Sequence, residues 1–315
     1  MRFGLHTGQH QVTFAELVAL WRDAEAWGFD ACYVFDHFVP LHSDVESFLP
    51  EETDRPDGPC LEATVSLSAL ARAVPRIGVG VMVAGVGFRA PGLFAHAAAT
   101  ITAAAPGRAE IGIGAGWFEP DYLPFGLPFP TARERSDTLE RALEALAAWW
   151  RGDVATVAGV ADHASLLPMR PSARLWVAGT GERRILPLAA RYADSWNAMY
   201  LTPEEFGLKV EMLLELCERN RRNPSTLERS IAVRAFCSRD GDAAREALHR
   251  WAAGRGRDSQ RGAERSLVGT PDECAGQIAR YRDAGATHVT IMAHPPYDRS
   301  TLELLASKVF GSFGD

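Results

Sequence analysis

Apolar residues along this chain fall into two alternating patterns. Residues 2–6 read as a short strand. Across residues 13–27, Phe14, Leu17, Val18, Trp21 and Ala24 recur at the three-to-four-residue spacing that builds one apolar helix face, and Gly28 stops it. Residues 30–35 form an apolar, β-branched and aromatic run expected to be a strand, and 41–58, polar and rich in Pro and acidic residues, read as an excursion. The pattern repeats with helix 61–74, strand 77–84, helix 91–104 and strand 109–113. A second excursion at 116–130 carries prolines 124, 128 and 130, which forbid regular pairing or helix, and precedes a long helix over 132–151. A third, 152–172, leads to strand 174–178. Helix 182–192, strand 194–198, helix 203–220, strand 229–237, helices 241–251 and 271–284, strand 287–292 and a closing helix 300–310 complete the series.

Eight nearly continuous apolar strands separated by helices indicate a parallel sheet buried on both faces, and eight such units close most naturally into a (β/α)8 TIM barrel with insertions after strands. An open doubly wound sheet is the rival. Length beyond the roughly 250 residues of a typical barrel is accounted for by the excursions, and no internal repeat or linker divides residues 1–315. The expectation is one barrel domain, with chemistry at the C-terminal strand ends.

A net charge of −7 argues against nucleic acid as a partner. Arg255, Arg257, Arg261 and Arg265 lie in a Gly-rich stretch read as a solvated loop rather than an anion clamp. The five cysteines are widely spaced with no C-x-x-C pair, which suggests neither a disulfide framework nor a thiolate zinc site. No stretch has the length of a membrane span and the start lacks an export signal, so a cytoplasmic protein is expected. The histidine spacing is read as holding no metal, with His288 and His294 assigned to the last strand and its end.

Asp36-His37-Phe38 follows the second strand, so a carboxylate and an imidazole project at the barrel mouth, where they could move a proton or simply fasten a loop. Gly85-Val86-Gly87 ends the third strand, where glycine either lets backbone approach a planar ligand or relieves crowding at a barrel corner. Gly112-Ile113-Gly114-Ala115-Gly116-Trp117 departs from the G-x-G-x-x-G dinucleotide spacing, but supplies a small-residue strand end near Ala115, and Glu119 after it offers a carboxylate. Gly179-Thr180-Gly181-Glu182 lies between a strand and its helix, where free amides suit a phosphate; an ordinary N-cap by Thr180 or Gly181 is the alternative. Asn197 could bond a ring edge or a loop backbone.

In order and spacing, these segments resemble the luciferase-like monooxygenase family, in particular its branch dependent on coenzyme F420, from Arg2 to Met292. The resemblance is carried by Asp36-His37-Phe38, Gly58-Pro59-Cys60-Leu61-Glu62-Ala63, Gly85-Val86 with Arg89 and Pro91, Gly112 through Glu119, Phe125-Gly126-Leu127-Pro128-Phe129-Pro130, Ala178-Gly179-Thr180-Gly181 and Gly269-Thr270-Pro271-Asp272-Glu273. It implies a cofactor across the C-terminal strand ends, its phosphate near Gly179–Glu182, its ring against the third strand, a non-proline cis peptide at Gly85-Val86, and paired barrels as a homodimer. Ala90, His96, Thr64 and Tyr122 replace residues frequent in the family. Leu41 and Trp117 occupy places where its sugar-phosphate dehydrogenases carry tryptophan and glutamate, so that reaction is not expected.

The function read from this is hydride transfer between F420 and a small organic substrate. His37 is the proton donor or acceptor, Asp36 orients it or contacts the ring, and Glu119 is a further candidate. FMN-dependent monooxygenation and non-catalytic deazaflavin binding are the alternatives.

Overall fold

The computed structural model describes residues 1–41, 59–153, 173–254 and 258–314. Nearly all of the first and third excursions, and Arg255 and Arg257, lie outside the described residues. Among the described residues, nine parallel strands form the sheet: β1 (Arg2–Thr7), β2 (Ala31–Val34), β3 (Gly78–Gly85), β4 (Ala109–Gly114), β5 (Arg174–Ala178), β6 (Ser195–Met199), β7 (Glu228–Cys237), β8 (Ser266–Gly269) and β9 (His288–Ala293). Pairing runs in sequence from β1 to β7, and β7 pairs β9, which pairs β1, so eight strands close a barrel. The expected strands agree with those observed to within about one residue at most ends.

The ninth strand was not expected. β7 is long: residues 230–233 pair with β9 inside the barrel, and 234–237 run past the mouth and pair with β8. The Arg-rich stretch ahead of β8 folds as a short helix, α8 (Ser259–Glu264), where a loop was expected, and Arg265 binds Glu205 at 2.6 Å. Four residues of strand and six of helix carry too short a pattern to stand out from loop.

The other helices are α1 (Phe14–Trp27), α2 (Ala63–Ala73), α3 (Pro91–Ala104), α4 (Ala132–Arg151), α5 (Ile185–Tyr192), α6 (Pro203–Arg219), α7 (Gly241–Ala253), α9 (Pro271–Asp283) and α10 (Arg299–Lys308). Four of them start on the same Thr-x-x-Glu device: Thr13, Thr131, Thr202 and Thr270 each exchange hydrogen bonds with a glutamate three residues on. Each such cap satisfies amides that the first turn leaves unpaired, and is worth about 1 kcal/mol. No described helix is long and apolar enough to cross a membrane.

Outward strand residues such as Phe3, Leu5, Val34, Val79, Ile111 and Ile231 join the buried layer between barrel and helices. The interior is different. Tyr33, Met82, Trp176 and Ala31 form their own cluster there, separate from the outer layer. Beneath it, at the N-terminal strand ends, Arg2 binds Glu110 (2.5 Å) and Glu228 (3.0 Å), and Glu228 also meets Arg174 (3.2 Å) and Nδ1 of His288 (3.0 Å). Burial opposes the charge on Glu228, but His288, Arg2 and Arg174 overcome it and hold its carboxyl far below the usual range.

Candidate active site at the barrel mouth

β2 ends at Val34, and the chain continues over the rim through Phe35, Asp36 and His37. Consecutive residues of extended chain face opposite ways, so Asp36 and His37 diverge. His37 Nδ1 lies 2.5 Å from Oδ2 of the fully buried Asp121, whose other oxygen accepts from the Phe38 amide at 2.8 Å. An ionised carboxylate only accepts, so the network assigns a proton to Nδ1; Nε2 hydrogen-bonds to none of the described residues and is the atom left to exchange a proton. Asp36 takes the other direction. It receives both guanidinium arms of Arg89, at 2.6 and 3.0 Å, and the Gly85 amide at 3.3 Å. Burial pushes the Asp36 carboxyl up against the pull of Arg89. The carboxylate that orients His37 is therefore Asp121 and not Asp36.

Asp121 comes from the second excursion, which contains two 3-10 turns, Glu119–Asp121 and Leu123–Phe125, where prolines were expected to exclude helix. Proline sits at the second residue of each, where no intrahelical donor is needed. Glu119 opens the first turn and is exposed, while Asp121 is the acid that the turn carries inward.

β3 departs from its neighbour between Val81 and Ala84, where two residues, Met82 and Val83, face the single Gly112 on β4. The non-proline cis peptide lies inside this bulge, at Met82-Val83, and not at Gly85-Val86 as the resemblance implied; a second cis bond joins Pro295 and Pro296. Glycines on β4 decide the place. A Cβ on Gly112 would stand 2.5 Å from the Val81 carbonyl oxygen and from Val83, and one on Gly114 2.9 Å from Val83, so the bulge occupies the space those side chains lack. Gly85 and Val86 remain regular: Val86 is buried and its amide donates to the Gly114 carbonyl at 2.9 Å. Ala115 is half-buried beside the core.

After β5, Gly179 adopts φ +127°, which favours glycine, and its amide donates to the Asn197 carbonyl. Helix α5 starts at Ile185, three residues later than expected, because the Gly181 carbonyl accepts from both Ile185 and Leu186. Neither Thr180 nor Gly181 is the cap: Arg184 holds that place with no side-chain hydrogen bond. The amides of Thr180, Gly181, Glu182 and Arg183 donate to nothing among the described residues. Four unpaired N–H groups ahead of a helix form a cradle suited to an anion. Asn197 is buried inside the barrel, with its amide nitrogen on Ser230 Oγ at 3.1 Å and Oδ1 without a hydrogen-bond partner among the described residues.

Sequence reasoning passed over the inner histidines. His6 and His10 stand four residues apart on β1 and its loop, and their rings lie around Phe35 with those of His294 and His37, at centroid distances of 5.0–6.3 Å. The H-x-x-x-H spacing was the available signal, but on a strand and loop it does not make the one-sided pair of a helix, and no metal-holding cluster occurs among the described residues. His6 Nε2 sits 3.0 Å from the Met82 carbonyl oxygen, and burial lowers its pKa to about 4. The ring is therefore neutral, with Nε2 donating and the buried Nδ1 bare.

Residues 1–288 match the family model described as luciferase-like monooxygenase. The chain belongs to that family. It is accordingly an oxidoreductase. It is 30% identical over 264 residues to an F420-dependent glucose-6-phosphate dehydrogenase of Beutenbergia cavernae, covering 80% of this chain and 73% of that one. A phthiodiolone/phenolphthiodiolone dimycocerosates ketoreductase of Mycobacterium tuberculosis is 26% identical over 288 residues, covering 73% and 74%. Among solved structures, an F420-dependent secondary alcohol dehydrogenase in complex with an F420-acetone adduct superposes with a TM-score of 0.84 at 20% identity, over 100% of this chain and 99% of that one.

Proposed function

We propose that this barrel transfers hydride between coenzyme F420 and an organic substrate, with His37 exchanging the substrate's proton through Nε2. The observation that carries the reading is the joint presence, on one rim, of an oriented imidazole and an unpaired anion cradle. β3, β4 and β5 are neighbours in the sheet, so the end of β3 and the cradle after β5 lie two strand spacings apart, about 10 Å. A flavin-sized ring and its phosphate span that distance. Thr180–Arg183 would take the phosphate, the Met82–Gly85 stretch of β3 would back the ring, and the exposed Arg183 stands beside the cradle for an acidic tail.

When bound, the deazaflavin supplies a two-electron hydride site. The protein does the rest. Asp121 keeps the His37 proton on Nδ1 and leaves Nε2 to accept or release one; Arg89 and the Gly85 amide tie Asp36 to the C-terminal end of β3 and so hold the rim in register. His6 Nε2 donates to the Met82 carbonyl and steadies the bulge under the ring. FMN with oxygen is the second reading, since the same cradle accepts its phosphate. Titration of the purified protein with F420 and with FMN, followed by fluorescence, separates them: saturable F420 binding with substrate-dependent bleaching supports the proposal, and FMN binding alone replaces it. Binding of F420 without redox turnover would favour a carrier.

A further inference from the structure

Two cysteines far apart in the sequence meet beside the extension of β7. Cys237 ends that strand and pairs with Gly269 of β8, while Cys274, in the first turn of α9, has its Sγ 3.9 Å from the Gly269 carbonyl oxygen. Both thiols therefore flank one residue, and their side chains hydrogen-bond to one another, Cys274 donating. The main chain of Cys237 is fixed by α10: Thr301 Oγ1 accepts from its amide at 3.2 Å and donates to its carbonyl at 3.0 Å. A cleft of about 520 Å³ opens between α7 and α10, and Cys237 lines it with Ala244, Ala247, Thr301 and Leu304. Cys274 is fully buried and takes no part in the lining. The remaining cysteines are in a different condition. Burial pushes the Cys32 and Cys217 thiols up, and that of Cys60, which donates to the His37 carbonyl, up to about 12, so these stay protonated and inert. Cys237 differs, since the Cys274 donor draws its thiol down against the effect of burial.

We infer that Cys237 and Cys274 are a peroxide-reactive dithiol, oxidised through the α7–α10 cleft to a disulfide that ties the end of β7 to α9. The oxidant is hydrogen peroxide, small enough to enter the cleft. The Cys237 sulfur attacks one peroxide oxygen, the O–O bond breaks, and the departing hydroxide leaves as water with the proton that Cys237 has lost. The Cys274 sulfur then attacks the resulting sulfenic sulfur: the S–S bond forms, the S–O bond breaks, and the oxygen leaves as a second water with the Cys274 proton. The pair gives up two electrons and two protons, and the peroxide is reduced to two waters. None of the groups at the barrel mouth takes part, so the reaction is independent of the hydride-transfer reading.

The test treats the fully reduced, folded protein with a modest excess of hydrogen peroxide, quenches it, counts thiols after denaturation and maps the peptides by mass. The expected result is a fall from five free thiols to three, a Cys237–Cys274 disulfide in the map, and return of all five on adding dithiothreitol. In Cys274→Ser the reaction should stop at a sulfenic acid on Cys237, which dimedone traps. In Cys237→Ser the four remaining thiols should persist and Cys274 should take up no dimedone. Five thiols persisting in the treated wild-type protein, or a first oxidation at Cys32, Cys60 or Cys217, overturns the proposal, and the wild-type map decides this whether or not either variant folds. Loss of thiols in Cys237→Ser as fast as in the wild type overturns the assignment of Cys237 as the attacking sulfur.

Discussion

The two ends of the barrel use polar residues in opposite ways. At the floor, the acids and guanidinium groups of Arg2, Glu110, Arg174 and Glu228 are bound to one another, with Tyr33 donating to Glu110 at 2.7 Å and Ser195 to Glu228 at 3.2 Å. At the mouth, polar groups are positioned but left with capacity to spare: His37 Nε2, His6 Nδ1, the Tyr122 hydroxyl and four successive amides after β5. A network whose charges are paired with one another resists change and serves stability, even with the buried Nε2 of His288 left without a partner; positioned groups with capacity to spare have something to offer a ligand. In a parallel barrel this asymmetry follows from topology, since β-to-α loops all emerge at one end.

Substitutions at the two ends should therefore separate activity from stability. The largest effect is expected from His37→Asn, whose side-chain amide can still donate to the buried Asp121 but cannot exchange a proton: it should slow single-turnover hydride transfer about 10²–10⁴-fold while leaving the urea midpoint nearly unchanged; an unaltered rate would remove His37 from the mechanism. Glu228→Ala should do the converse. With Arg2, Arg174 and His288 losing their shared partner, and the two arginines partly exposed, urea denaturation should report a loss of about 3 kcal/mol, with cofactor affinity per folded molecule retained.

Gly112→Ala tests the boundary between the two ends. Its methyl group would collide with the Val81 carbonyl and with Val83, so a cost of about 1–3 kcal/mol is expected, together with weaker binding of any ring that rests on the bulge. Loss of stability without loss of binding would detach the bulge from the site. The remaining test is a pH slope. Unfolded His6 takes a proton near pH 6.5, and folded His6 only near pH 4. Between those values the unfolded chain holds one more proton, so stability should fall as pH drops, by about 1.4 kcal/mol per unit from this residue. His6→Leu should flatten the denaturation profile by that slope over pH 6.5 to 4.

Periodicity made the barrel legible: strands buried on both faces read as continuous apolar runs, and the Thr-x-x-Glu starts mark four helices in the letters themselves. The strand-end motifs at Asp36-His37 and Gly179–Glu182 were likewise visible, because small and polar residues interrupt the apolar pattern there. Strand β8 escaped notice, since four residues carry almost no period.

Local order along the chain thus determined the fold class, the helix starts and the rim on which the candidate residues lie. Three things waited for the tertiary structure. His37 could be matched to Asp121 only once a turn 84 residues away folded over it. The bulge could be put at Met82-Val83 only once the missing side chains of Gly112 and Gly114 were set beside it. The inner histidines became a group only when strand ends from opposite ends of the chain met around Phe35. The physical reason is common to all three: periodicity reports which way a residue faces relative to its neighbours in sequence, whereas a hydrogen bond or a steric vacancy depends on which remote segment arrives opposite it.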